Sequence, residues 1–395
     1  MKDRATVLTE RLYYEDQKLF EFDAEIIDCV PTKDGKYEIT LDGTAFFPEG
    51  GGQYGDRGEI GGVRVIDTIE RGGVILHICD SALPLGQIHC RIDAKERYSK
   101  MQNHSGEHIV SGIVHSLYGA DNVGFHLGDD DATLDFNKKL SREELDRVEY
   151  LANRAVWDNL PIIAYFPSAD ELSTLEYRSK LDLVENVRIV KIGDVDTCAC
   201  CAPHVEYTGE IGLIKLLDHA AYKGGVRVHM VCGDRALTDY RDKYENTAKI
   251  AAALSAKQHE AAEKFFEFAE GERAAKLKIK SLQREIISLK AASALPDSNG
   301  NIILFEQIDP ELSIEFANAL LERCDRCVFI FSGDDLSGYK FTAASCELDL
   351  TKAAAEIRTH FNAKCGGKSS MIRGSIVATR AAIELFLEKQ TKEDI

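Results

Sequence analysis

The chain has 395 residues, 44% of them hydrophobic and 29% charged, with a formal charge of −18. That length accommodates two or three domains, each able to bury a core, and no apolar run reaches the length of a membrane span. The acidic balance argues against broad coating of nucleic acid but leaves a local basic surface open.

Residues 1–95 read as strands and turns. Glu25–Val30 and Tyr37–Leu41 are β-rich, and Asp34-Gly35 between them is a hairpin signal. Thr44–Gly58 then carries five glycines, which either form a turn of a small barrel or let the backbone approach a ligand closely. This segment has neither the lysine of a P-loop nor the following helix of a dinucleotide fold, so both of those readings are set aside.

A second region, 96–238, opens on His104 and His108, four residues apart. Ile109, Val110, Ile113, Val114 and Leu117 follow at the spacing of one helical face. Asn122–Gly128 and Ala132–Phe136 look like strands, and Ser141-Arg142-Glu143-Glu144 is a capping box that starts a helix to about Asn159, before Pro161. Val187–Ile192 is a strand candidate, followed by Cys198, Cys200 and Cys201 in a turn, then by β-rich Gly212–Leu217 and Gly225–Val231. Strands and helices mix without strict βα alternation, which predicts an α+β fold.

From 239 to 293 the pattern is that of a long helix of coiled-coil type. Leu254, Ala261, Phe265, Phe268, Ala275, Ile279, Leu282, Ile286 and Leu289 form a near-heptad seam, with Gln258 and Glu272 interrupting it. Such a helix either packs along its own domain or pairs with a second copy to make a homodimer. Residues 294–395 read as a small α/β domain, with strands at Asn301–Phe305 and Cys327–Phe331 and a helical stretch near 310–323. No acidic residue falls between Arg358 and Ile383, and Lys364, Lys368 and Arg373 lie in that span. The Lys364–Ser370 segment is either a solvated basic loop or a holder of phosphate, the second predicting contact with nucleic acid.

Residues four apart on a helix project side by side, so His104 and His108 can grip one ion together. Cys200 and His204 sit in a turn, and the helix and turn together offer three nitrogens and one sulfur, a set that suits Zn²⁺. Cys198 and Cys201 are alternatives to Cys200 in so flexible a turn. Four protein ligands close a tetrahedron as structural sites do, whereas hydrolytic zinc keeps a position open; the spacing does not choose between them. Eleven cysteines, three of them crowded here, fit metal or reduced thiols in a chain whose Met1-Lys2-Asp3-Arg4 leads into no secretory h-region, so the cytoplasm is the expected compartment.

His104-x3-His108 with Cys200-x3-His204 resembles the metal motif of the alanyl-tRNA synthetase editing domain and its free-standing AlaX relatives, in their long form. Phe46–Gly58 looks like that family's F-x-P-x-G-G-G-Q-x-G-D-x-G segment, and Thr208–Gly212 and Lys223–Arg227 resemble its later motifs. The long helix and last domain are similar, more loosely, to the synthetase's C-terminal part. The resemblance implies a small N-terminal β-barrel, a zinc-containing editing domain, a coiled coil and a C-terminal domain that binds tRNA or dimerises. It implies hydrolysis of Ser-tRNA, and of Gly-tRNA, for alanine, with His104, His108, Cys200 and His204 on zinc. Gln53, Glu107 and His126 are the residues carried over to shape or catalyse, and Lys364, Lys368 and Arg373 are the expected tRNA contacts. No aminoacylation domain precedes Phe46, so the chain is expected to edit without charging tRNA. The family's Cys-Gly-Gly-Thr-His is here Cys200-Cys201-Ala202-Pro203-His204, and proline removes a backbone donor from that turn. Editing of Ser-tRNA for threonine, whose synthetase has a similar ligand pattern, is one rival reading; a non-catalytic, zinc-stabilised tRNA-binding scaffold is the other.

Overall fold

In the computed structural model, which describes residues 9–179 and 186–390, Glu21–Pro31 alternates exposed side chains with buried Phe22, Ala24 and Ile26. That period of two places one face of the strand in a core with Ile39, Leu41, Ile60, Val65 and Cys79. The strands Glu21–Pro31, Tyr37–Leu41, Val74–Cys79, Val63–Arg71, Gly58–Ile60 and Gly86–Ile92 pair in that order, and the last pairs back onto the first to close the ring. The glycine-rich segment leaves this barrel and is tied to helix α1 (Ala94–Tyr118). Asp56 accepts from the Phe47 N–H at 2.7 Å and forms a fully buried ion pair with Arg97, with Lys100 3.7 Å away.

Helix α1 starts at the N-cap Asp93, whose carboxylate accepts from the Glu96 N–H at 2.9 Å, and ends at Gly119 in the left-handed region. It is buried on nearly every side from Met101 to Val110, more enclosed than the one-faced helix its apolar spacing predicts. A sheet ordered Ile214–Tyr222, Gly225–Cys232, Ala132–Phe136, Asn122–Leu127 packs with α1 and with α2 (Arg142–Trp157) around one core. The capping box at Ser141 is present, with both the Glu144 N–H and the Ser141 N–H satisfied. A smaller sheet of Ile162–Tyr165, Ile189–Ile192 and Asp196–Ala199 leads into the cysteine turn, and a short α3 (Ala169–Thr174) lies between its first two strands in sequence.

The chain divides into two compact units at Ala248/Lys249, inside helix α4 (Gly233–Ala253). The predicted continuous helix is broken: α4 ends at Ala253 and α5 runs Ala261–Ser293. Ser255 takes a left-handed φ of 53°, and the Ala256 N–H donates to the Ala251 carbonyl at 2.9 Å, the wrap that closes a helix end. Leu254 and Gln258, both assigned to the seam, therefore lie outside α4 and α5, while Phe265, Phe268, Ile279, Leu282, Ile286 and Leu289 are exposed along α5.

In the second unit, Ile302–Phe305 runs parallel to Cys327–Asp334, and Gly338–Ser345, Met371–Ile376 and Lys364–Lys368 continue the sheet antiparallel. The pleat divides Cys327–Asp334 between two cores. Val328 and Ile330 face α6 (Ser313–Leu321), whereas Phe329 and Phe331 face α7 (Leu350–Phe361) and α8 (Arg380–Gln390). Lys364–Lys368, expected as a loop, is an edge strand in register with Met371–Ser375. None of the described helices is long and apolar enough to cross a membrane.

Candidate metal centre

His104 and His108 sit one turn apart on α1, with Gly106 between them on the face that meets the strand Gly225–Cys232. A Cβ at Gly106 would stand 2.4 Å from the Cys232 sulfur, so the helix reaches this depth only with glycine there. Opposite, the strand Asp196–Ala199 delivers Cys200 and the turn to His204. One donor atom each from His104, His108, Cys200 and His204 falls within 4.8 Å of the others. The Nε2 atoms of His104 and His204 lie 3.6 and 3.4 Å from the Cys200 sulfur.

Each ring is held from behind. His104 Nδ1 meets Gln53 Oε1 at 3.0 Å, His108 Nδ1 meets Asp196 Oδ2 at 2.9 Å, and His204 Nδ1 meets Ser105 Oγ at 3.0 Å. With Nδ1 engaged, Nε2 of all three is the nitrogen left to ligate, which is the arrangement of a metal site with its outer partners in place. Asp196 is itself gripped by Arg178, Nε to Oδ1 at 2.7 Å and Nη2 to Oδ2 at 2.8 Å.

Burial alone would raise the Cys200 thiol, but the imidazoles of His104 and His204 outweigh it and hold the group well below its ordinary value. Burial pushes His204 down to about 3, so it stands neutral, as a ligand must. Burial would raise Asp196 as well; the hydrogen bonds from His108 and Arg178 reverse that and lower it.

A pocket of about 190 Å³ opens beside the cluster, with Tyr14, Gly51, Glu107, Arg188, Cys198 and Cys201 among its walls. Glu107, buried on α1, accepts from Ser111 Oγ at 2.8 Å and Asn122 Nδ2 at 2.5 Å through Oε1, while Oε2 lies 3.8 Å from His108 Nε2. Arg188 clips the turn, Nη1 donating to the carbonyls of Cys200 at 3.1 Å and Ala202 at 2.9 Å. Pro203 has no N–H to give; the Ala202 N–H points to the Cys200 sulfur at 3.4 Å and the His204 N–H to Gln17. The glycine-rich loop lies against this site, not apart from it. Gly52 has φ +83°, its carbonyl accepts from the Leu127 N–H at 2.8 Å, and a Cβ there would stand 2.3 Å from the Phe125 carbonyl oxygen.

Of the residues singled out from sequence, Gln53 and Glu107 join the four donors. His126 does not. Phe125 turns its ring to His104, 4.9 Å between centres, so the pleat points the next residue, His126, to the other face, where it is exposed. Cys198 belongs to an overlapping group with His108 and Asp196, and Cys201 to neither group. In the second unit, Lys364 and Arg373 line a pocket of about 330 Å³ together with Lys340, while Lys368 lies at the hairpin end of the same edge strand. Ser105, Asp196, Arg178, Arg188 and Tyr14 were not anticipated. The available signal was a charge flanked by apolar residues, Arg188 between Val187 and Ile189-Val190, and an acid two residues before Cys198.

Comparison with known proteins places these residues in context. Residues 187–229, which include Cys200 and His204, match the family described as the threonyl and alanyl tRNA synthetase second additional domain. The chain is 29% identical to the alanyl-tRNA editing protein AlaX-L of Pyrococcus horikoshii, over 97% of this chain and 98% of that one. It is 26% identical to an alanyl-tRNA editing protein of Danio rerio, over 94% and 95% of the two chains. It is also 31% identical to the alanine–tRNA ligase of Halorubrum lacusprofundi over 72% of this chain, spanning 32% of the ligase. Along nearly its whole length, then, the chain is similar to alanyl-tRNA editing proteins.

Proposed function

We propose that this protein is an aminoacyl-tRNA deacylase that acts in trans on alanine tRNA carrying the wrong amino acid, serine or glycine. The observation that carries the reading is the convergence of His104, His108, Cys200 and His204 beside a pocket of aminoacyl size, in a chain similar throughout to alanyl-tRNA editing proteins. The donor set fits zinc: a thiolate-prone cysteine and three imidazoles whose other nitrogens are already engaged. When bound by these four residues, zinc would supply Lewis-acid polarisation of the ester or of the attacking water.

The chain's own groups do the sorting and handle the proton. Glu107 is fixed by Ser111 and Asn122, and its second oxygen lies 3.8 Å from His108 Nε2, which places a carboxylate beside the cluster to take the proton of an attacking water or to meet the serine hydroxyl. Gln53 turns Oε1 to His104, and its Nε2 is buried with no partner among the described residues. Buried polar groups that need the substrate's hydroxyl reject alanine, whose methyl leaves them unpaired. A synthetase pocket built for a methyl group excludes serine only modestly, which is why a second hydrolytic site is needed. Lys364, Lys368 and Arg373 hold the tRNA body, and the exposed seam of α5 pairs with a second copy.

The test is ester loss from Ser-tRNA for alanine and Ser-tRNA for threonine, with Cys200→Ser run in parallel and zinc content measured on both proteins. Preference for the alanine tRNA, lost together with zinc in Cys200→Ser, is expected. Preference for the threonine tRNA overturns the substrate. Stoichiometric zinc with no deacylation of either tRNA makes the protein a scaffold.

A further inference from the structure

At about 190 Å³ the pocket has room for an aminoacyl group but falls below the roughly 300 Å³ at which sites begin to enclose larger ligands. The nucleotide bearing the ester must then lie outside the pocket, and one lining residue is aromatic and continues to an exposed ring. Tyr14 lines the pocket, and Phe166 sets its ring against Tyr14 edge-on at 5.4 Å while remaining 52% exposed. The ring cluster is anchored inward, edge to face: Tyr14 meets Tyr13 at 4.7 Å, and the fully buried Tyr13 meets Phe47 of the glycine-rich segment at 5.4 Å. The guanidinium of Arg188 lies 5.1 Å from the Tyr14 ring centre. Arg188 is 5% exposed, and its Nη2 has no hydrogen-bond partner among the described residues.

An exposed phenylalanine alone is ordinary surface. This one sits edge-on to Tyr14, a ring of the pocket wall that also lies beside a buried guanidinium. Unpaired bases at RNA ends are held by stacking on aromatic rings and arginine planes. We infer that Phe166 and Tyr14, backed by Arg188, form a platform on which the 3′-terminal base of the aminoacylated RNA stacks while its ester enters the pocket. The inference rests on the deacylase reading for its purpose, and on the aromatic wall for its place.

The experiment uses the full chain and two RNA hairpins with a single-stranded 3′ tail, identical except that one lacks the terminal base. Binding is followed by fluorescence anisotropy, with no hydrolysis required. The wild type binds the complete hairpin about 5- to 150-fold more tightly than the abasic one, the range of one stacked base. Phe166→Ala erases that difference and Phe166→Trp keeps it, with zinc content equal in all proteins. In Ser-tRNA hydrolysis, Phe166→Ala raises KM by the same factor and leaves kcat within about twofold. A wild type indifferent to the terminal base, or a Phe166→Ala protein that still discriminates, overturns the platform. A platform that passes the binding test in a protein that deacylates nothing instead overturns the deacylase reading.

Discussion

Asp196→Asn tests whether the residues behind the histidines belong to the metal site. In the wild type the carboxylate accepts from His108 Nδ1 at 2.9 Å and from Arg178 at 2.7 and 2.8 Å. An amide of the same shape has one oxygen for these donors and turns its NH₂ toward whichever remains. His108 is then poorly oriented, or Arg178, with 15% of its side chain exposed, loses half its partner. Loss of an outer partner of a ligating histidine lowers metal affinity by about 10- to 100-fold, or about 1.4 to 2.8 kcal/mol. The assay is zinc competition against a chelating dye at neutral pH, on apo proteins checked for folding by circular dichroism. Asp121→Asn, which alters the exposed pairing with His115, is the control and leaves affinity unchanged. Zinc affinity within twofold of wild type in a folded Asp196→Asn protein refutes the role given to this carboxylate.

Gly52→Ala places a Cβ against the Phe125 carbonyl in a left-handed conformation, and we expect a loss of at least about 2 kcal/mol in urea unfolding. Wild-type stability would show that the loop does not press on Asn122–Leu127. His77, fully buried between Thr44 Oγ1 at 2.8 Å and the Ile39 carbonyl at 3.0 Å, is pushed down to about 4 by burial, against the upward pull of that carbonyl. Its proton therefore binds the unfolded chain alone between the ordinary value and about 4, so stability is complete above pH ~6.5 and falls by about 1.4 kcal/mol per unit below it. Between pH 7 and 5 the wild type should lose about 2 kcal/mol more than His77→Gln; parallel losses would show that another group governs the acid limb. Lys364→Ala with Arg373→Ala should weaken tRNA binding and flatten its dependence on salt by about one unit for each phosphate no longer neutralised. An unchanged slope removes these residues from the tRNA-binding surface.

Much of the candidate site was legible because its parts obey local rules. His104 and His108 could be paired on sight, since a helix brings residues four apart together, and the short turn from Cys200 to His204 supplied a second pair. Two outer partners, Ser105 and Asp196, were not legible, and Gln53 was singled out through the resemblance alone: the three meet the rings only after separate segments fold together. His126 shows the cost of placing a residue on a strand without its phase, because one step along the pleat changes the face. The long helix shows another limit. Its seam runs through Leu254 and Gln258, and the break comes from Ser255 in a left-handed conformation, with neither glycine nor proline to announce it. The Lys364–Lys368 segment, glycine-rich and basic, has the composition of a loop, yet it completes a sheet edge because Met371–Ile376 offers it a partner.

The most direct measurement follows ester loss from Ser-tRNA and Ala-tRNA for alanine, each incubated with the zinc-loaded protein. The account predicts rapid loss of serine while alanine stays attached, a ratio on the order of 10³ or more if buried polar groups read the hydroxyl. Equal loss of both, or loss of neither, would contradict it.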